Sequence, residues 1–193
     1  MQKLQERIRR EGKVLPGNII KVDGFLNHRV DTALLGDLAD EFAKFFPIDR
    51  ITMILTAEAS GIALGTVCAQ KYGVPLLFAK KAKSDNIEGG LYQSEVFSYT
   101  YKKTTTYIVS QEWLNAEDHV LIVDDFMANG NAMQGLVDLV NAAGATLEGI
   151  GIAIEKGFQG GGDRFRGLGI PYKALAIVER VDENNQIIFR SDD

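Results

Sequence analysis

Residues 120–132 read VLIVDDFMANGNA, and this stretch decides how the rest of the chain is read. Val120 to Val123 form an apolar, largely β-branched run of the kind that fills a strand buried on both faces. The run meets two adjacent carboxylates, Asp124 and Asp125. A loop of small and polar residues follows, Ala128-Asn129-Gly130-Asn131-Ala132, and opens a helix. Like charges this close oppose each other's ionisation unless something engages them. Amide groups at a helix start can hold a phosphate dianion without a lysine. Two carboxylates nearby can accept hydrogen bonds from vicinal hydroxyls or hold a divalent cation. A phosphate pocket beside a diol pocket suits a ribose 5-phosphate. The plainer alternative is that Asp125 caps a turn.

Strands and helices alternate around this stretch. Residues 51–56, 74–80, 119–125 and 149–156 read as buried strands, and the acidic pair is expected to end the third of them. Residues 60–72 and 130–143 read as helices closed near Gly73 and Gly144. Ahead of them, residues 3–11 form a charged amphipathic helix stopped by Gly12, and 18–26 an extended segment. Asp31 or Thr32 then caps a helix with Leu34, Leu38, Phe42 and Phe45 on one face, ended by Pro47. GIGIAIEK (149–156) alternates isoleucine with glycine or alanine, which leaves room on one face for a neighbouring helix. Residues 84–106 are polar with alternating Tyr, Val and Phe. They suggest a flexible loop leading into an antiparallel ribbon, continued by 105–110, or else a simple exposed hairpin. A short weak helix is expected over 162–169, and a terminal β pair, 172–181 with 186–189, around Asn184–Asn185. The fold class is α/β, with a central, mostly parallel sheet flanked by helices. Ligands of such sheets lie beyond the C-terminal strand ends, which directs attention to the residues after 56, 80, 124 and 156.

The whole chain narrows the classes. Its 193 residues, 46% of them apolar, suit one globular domain. A net charge of −5 argues against a general nucleic-acid binder. No apolar run approaches the roughly 20 residues of a membrane helix. The charged start MQKLQERIRREGKVL lacks the apolar core of a signal peptide, so a cytoplasmic protein is expected. The single cysteine, Cys68, lies in an apolar stretch and reads as a buried structural thiol. With two histidines far apart, no zinc-type cluster can be assembled.

The other strand ends carry weaker signals. Ala57-Glu58-Ala59-Ser60-Gly61 could bring backbone amides against a phosphate, or be an ordinary strand–helix turn. Lys80, Lys81 and Lys83 could be a solvated face or supply one lysine to a diphosphate. Lys156 could donate to a base carbonyl or neutralise an anionic ring, or pair with Glu155 or another acid. No GxGxxG follows a strand, and the triple glycine 160–162 reads as a loop.

VLIVDDFMANGNA resembles the phosphoribosyl-diphosphate signature of type I phosphoribosyltransferases. KVDGFLNHRVD, TAEASGIA, VPLLFAKKAKS, GIGIAIEK and the tyrosine-bearing ribbon extend the similarity over nearly the whole chain. Within the purine subgroup it is closest to the members that use xanthine. The resemblance implies one domain over 1–193: a core over 31–155, a small hood over the base from about 1–30 and 156–193, and an antiparallel flap over about 84–106. It implies that Asp124 and Asp125 bind the ribose hydroxyls, partly through Mg2+. Ala128 to Ala132 would cradle the 5′-phosphate of 5-phospho-α-D-ribose 1-diphosphate (PRPP). Glu58, Ala59, Ser60 and Lys81 would serve its diphosphate. Ile20 would pack on the purine ring, Asn27 would hydrogen-bond its edge, and Lys156 would meet its 6-oxo group. A homodimer is implied, with no nucleic-acid or membrane partner. Two departures matter. Many members carry Thr-Gly-x-Thr where this chain has Asn129-Gly130-Asn131-Ala132, and relatives acting on hypoxanthine and guanine carry an acid where Ala128 stands. The same chemistry on guanine or hypoxanthine remains an alternative. So does a non-catalytic sensor of the sugar donor, although the acidic balance and the short segment before Ile20 do not suit the DNA-binding module such regulators carry.

Overall fold

The computed structural model describes residues 1–81, 90–98 and 103–191. Its centre is a six-stranded sheet. In chain order the elements are helix α1 (Gln2–Glu11), the hairpin strands β1 (Lys13–Leu15) and β2 (Ile19–Lys21), α2 (Thr32–Phe45), β3 (Met53–Ala57), α3 (Gly61–Tyr72) and β4 (Leu76–Ala79). Then come the ribbon β5 (Leu91–Ser98) and β6 (Lys103–Ser110), β7 (His119–Met127), α4 (Asn131–Ala142), β8 (Thr146–Lys156), α5 (Gly161–Gly167), β9 (Tyr172–Val181) and β10 (Ile187–Phe189). The sheet order is β10-β9-β8-β7-β3-β4, parallel throughout except for the antiparallel edge strand β10.

Strand alternation splits the core between two faces. On β7, Leu121 and Val123 face the helices α1, α2 and α3, where they meet Leu38, Phe42, Leu64 and Cys68. Val120 and Ile122 face α4 and the ribbon, among Leu136, Val140 and Tyr107. β7 is therefore covered on both sides, as its unbroken apolar run requires. The glycines of β8 make the room expected of them. A Cβ on Gly151 would stand 3.0 Å from the Phe42 ring, and one on Gly149 2.4 Å from the Phe46 ring. Cys68 is fully buried, and that burial pushes its thiol up to about 12.

Several boundaries differ from the sequence reading. The extended segment over 18–26 is a strand only at Ile19–Lys21, paired with β1 around Pro16-Gly17-Asn18. Beyond Val22 the chain turns, with the amides of Phe25 and Leu26 both bonded to the Val22 carbonyl. Asp31 caps α2 by accepting from the Leu34 amide at 3.1 Å. Phe45, expected on the buried face, is exposed, and Phe46 takes the buried place beneath Gly149. Residues 172–189, grouped with the hood in the sequence reading, stand in the central sheet as β9 and β10. The flap expected over 84–106 lies partly outside the described residues. Its described part is the ribbon, joined to the sheet edge through Lys80 and Ile108.

Candidate active site at the strand ends

The acidic pair does not terminate its strand. β7 continues to Met127, opposite Glu155 of β8, so Asp124 and Asp125 are held in the ladder rather than on a loose turn. Successive side chains of a strand point to opposite faces. Asp125 is buried and gripped from two sides. Asn27 donates from Nδ2 to its Oδ2 at 2.7 Å, and Ser60 from Oγ to its Oδ1 at 2.9 Å. Asp124 accepts from the backbone amide of Asp125 at 2.9 Å. Burial, followed by the charge of Asp125, pushes the Asp124 carboxyl well above the usual carboxylate range, and Lys81 pulls it back only in part. The floor under Asp124 is Gly61, the first residue of α3. A Cβ there would lie 2.0 Å from Thr56 Oγ1 and 2.6 Å from Asp124 Oδ1.

The turn after β3 carries a cis peptide between Glu58 and Ala59. Glu58 accepts from the Lys81 amide at 2.6 Å, which ties the end of β3 to the end of β4. The Lys81 side chain is exposed. Tyr107 of the ribbon closes the other side. Its phenol is held up to about 12 by burial, then by the charges of Asp124 and Glu58.

Gly130, with φ of 89°, precedes the first turn of α4. Asn129 Oδ1 accepts from the Asn131 amide at 3.1 Å, and Asn131 Nδ2 donates to the Phe97 carbonyl of β5 at 2.9 Å. The loop is thus tied to the ribbon. The first-turn amides of a helix have no intrahelical acceptor, and in α4 the first of them is taken by Asn129. Among the described residues no group of three or more His, Cys, Asp or Glu could hold a metal ion. Two carboxylates with oxygen donors do fit a magnesium ion whose remaining ligands come from a substrate's phosphates.

Residues 36–165 match the model of the phosphoribosyl transferase domain family. The chain belongs to the phosphoribosyltransferase family. It is 50% identical over 193 residues to a xanthine phosphoribosyltransferase of Lachnoclostridium phytofermentans, covering 100% of both chains. It is 53% identical to a xanthine phosphoribosyltransferase of Bifidobacterium longum, covering 98% of this chain and 100% of that one. The fold is shared with adenine phosphoribosyltransferases. That of Trypanosoma brucei, solved with AMP, pyrophosphate and ribose-5-phosphate, superposes with a TM-score of 0.75 at 22% identity over 95% of this chain and 83% of that one. That of Giardia lamblia, solved with 9-deazaadenine, gives 0.75 at 21% identity over 91% and 98%.

Within this phosphoribosyltransferase, Asp124, Asp125, Asn27 and Ser60 form one bonded cluster, with Glu58 and Lys81 beside it. Lys156, at the end of β8, is partly buried, its ammonium 5.6 Å from the centre of the Phe126 ring. It does not pair with Glu155, which is bonded to Arg166 and Tyr172 instead. Burial lowers the Lys156 pKa below the usual lysine value. Ile20 stands on β2. Its side chain is buried in the α1–α2 core, so on β2 the exposed side chains are those of Ile19 and Lys21. Sequence reasoning also missed Thr56 and Tyr107. Thr56 lies one residue before the inspected turn, and Tyr107 on the inward side of the alternating ribbon.

Proposed function

We propose that this phosphoribosyltransferase converts xanthine and PRPP to xanthosine 5′-phosphate and diphosphate, in purine salvage. One observation carries the reading. The adjacent carboxylates stand near the C-terminal end of a central parallel strand, which leads through residues 128–130 into α4, in a chain about half identical over its full length to proteins named for that activity.

The chemistry follows from where charge develops. Transfer of the ribosyl group to a purine nitrogen passes through a sugar with oxocarbenium character while diphosphate departs. Asp124 and Asp125 hold the ribose hydroxyls and favour positive charge on the ring. The loop 128–132 holds the 5′-phosphate with backbone amides, because Asn and Ala replace the hydroxyl-bearing residues of many relatives. The Ala57–Gly61 turn and Lys81 face the leaving diphosphate. Asp124 and Asp125, together with the substrate, would hold magnesium, which would supply positive charge against the leaving group. The ribbon, as part of a closing flap, keeps water from the reacting carbon.

Base choice rests on Lys156 and Asn27. Xanthine is acidic enough to be partly anionic near neutral pH. An ammonium without an ion-pair partner among the described residues then suits it, and no general base is needed where Ala128 stands. The reading includes a homodimer, for which exposed Ile19, Trp113 and Leu168 offer apolar surface, and a cytoplasmic location. No helix among the described residues is long and apolar enough to cross a membrane.

A spectrophotometric assay with PRPP, magnesium and xanthine, guanine or hypoxanthine in turn tests the reading. The expected result is highest kcat/KM with xanthine. Turnover only with guanine or hypoxanthine would move the enzyme to the neighbouring specificity. Absence of turnover with any purine would leave the donor-sensing alternative.

A further inference from the structure

The buried acid Glu155 takes no part in the chemistry above. It is fully buried on β8, and Arg166 of α5 meets it with both terminal nitrogens, Nη1 on Oε1 at 3.1 Å and Nη2 on Oε2. The Tyr172 hydroxyl donates to Oε2 at 2.9 Å. The Arg166 guanidinium also lies over the Tyr172 ring, 4.5 Å from its centre. Gly162 rests on the carboxylate, where a Cβ would come within 2.3 Å. A two-pronged Arg–carboxylate pair fixes orientation as well as charge, while a buried ion pair is weak evidence for stability by itself.

The helix so anchored touches the phosphate loop at its other side. Gly161 donates its amide to the Ala128 carbonyl at 3.1 Å. A Cβ on Gly161 would stand 2.3 Å from that carbonyl and 2.7 Å from the Gly130 amide nitrogen. Phe165, fully buried, abuts Gly130, where a Cβ would stand 3.1 Å from its ring. Arg164 reaches Gln134 of α4 at 2.6 Å. α5 is thus wedged between the buried acid and residues 128–130.

We propose that Glu155 and Arg166 are positioning residues for the donor's 5′-phosphate: their pairing locks α5, and Gly161 and Phe165 of α5 then set the path of the loop that receives it. The inference rests on the ribose 5-phosphate reading of that loop. Neither residue touches substrate.

Calorimetric titration with ribose 5-phosphate and, separately, with magnesium diphosphate tests it, alongside thermal unfolding and steady-state kinetics. Arg166→Met strands a buried carboxylate, so the double variant E155L/R166M, which removes both charges, keeps the test usable if the single variant does not fold. Gly161→Ala alters the loop contact directly and leaves the ion pair in place. Folded variants are expected to bind ribose 5-phosphate about tenfold to a hundredfold more weakly, the cost of a small misplacement of a binding group. Affinity for diphosphate should hold, KM for the sugar donor should rise with KM for xanthine unchanged, and Arg166→Lys should recover part of the loss. A folded double variant with wild-type affinity for ribose 5-phosphate overturns the proposal. So does an equal loss for ribose 5-phosphate and diphosphate, which marks general damage. Wild-type protein that fails to bind ribose 5-phosphate overturns the reading of the loop itself, and this inference with it.

Discussion

Asn27 donates its amide Nδ2 to Asp125 Oδ2 at 2.7 Å, across 98 positions of sequence. A carboxylate can only accept, so one N–H of the Asn27 amide goes to Asp125, and its second N–H and Oδ1 are left for other partners. The N-terminal segment is in this way bonded to the acidic pair at the end of β7.

On the proposed reading, that bond gives Asn27 a part in two binding events. Asn27→Leu removes a hydrogen bond to a charged group, worth about 1.5–3 kcal/mol, or roughly tenfold to a hundredfold. Both kcat/KM for xanthine and kcat/KM for PRPP are expected to fall by about that factor. Initial rates with each substrate varied in turn check this. A residue that served the base alone would leave the PRPP term untouched.

Asp124 sets activity against stability. Its carboxyl is raised by burial and by Asp125, so the charged form is disfavoured in the folded state. A raised folded pKa on an acid means the folded protein holds its proton to higher pH than the unfolded chain does. Stability from this group is therefore greatest at low pH and falls as pH climbs from about 4, the ordinary carboxylate value, through the raised one. Asp124→Asn keeps an acceptor for the Asp125 amide and removes the charge. It is expected to raise stability at pH 7.5 and to lower kcat by about a hundredfold. Unfolding by denaturant from pH 4 to 8 reads the first effect, and the gap between variant and wild type should shrink toward pH 4.

The contrast between β7 and the N-terminal hairpin shows what was legible in the sequence and why. β7 and α4 carry long periodic patterns, and the acids and glycine loop between them narrow the chemistry. The exit of β7 was misjudged because two carboxylates look like a strand's end. Pairing with β8 as far as Met127 and Glu155 carries the strand past them. The three-residue strand β2 is too short for alternation to assign its faces, so the burial of Ile20 was invisible. Phe45 keeps helical phase with Leu34, but Phe46 fills the space that Gly149 leaves. Glycines 160–162 read as a loop because glycine disfavours helix. Contacts made by Glu155 and by residues 128–130, all distant in sequence or visible only in three dimensions, hold part of that run at the start of α5.

Lys156 should register the charge of the base. Burial lowers its pKa, so the unfolded chain binds its proton more readily than the folded protein, and the charged lysine costs stability at neutral pH. That cost disappears as pH rises through the lowered value toward about 10.4, the ordinary one. Lys156→Met is expected to unfold at a slightly higher temperature at pH 7.5. Its KM for xanthine should rise about tenfold to a hundredfold with loss of the charged contact. In the wild type, affinity for the anionic base should decline at a pH below that of an ordinary lysine, and in Lys156→Met that limb should vanish. Fluorescence titration with xanthine from pH 6 to about 10.5 measures both. An unchanged pH profile in the variant would remove Lys156 from base binding.

Gly61 tests whether the acidic pair needs its floor. The Cβ of Gly61→Ala would overlap Thr56 Oγ1 at 2.0 Å and Asp124 Oδ1 at 2.6 Å. Thr56 is fully buried, and its hydroxyl has no hydrogen-bond partner among the described residues. It has little room to rotate away, so Asp124 must give. Overpacking of this kind costs about 1–3 kcal/mol of stability. With Asp124 in its proposed place against the sugar, displacing it by even a fraction of an ångström should lower kcat by roughly a hundredfold. The double variant T56A/G61A, which removes the closer overlap and gives the new methyl space to shift away from the carboxylate, should regain part of the stability and part of the rate. Thermal unfolding and kcat for the two variants decide the point. If the second substitution restores stability but no activity, the loss in Gly61→Ala does not come from the shift of Asp124.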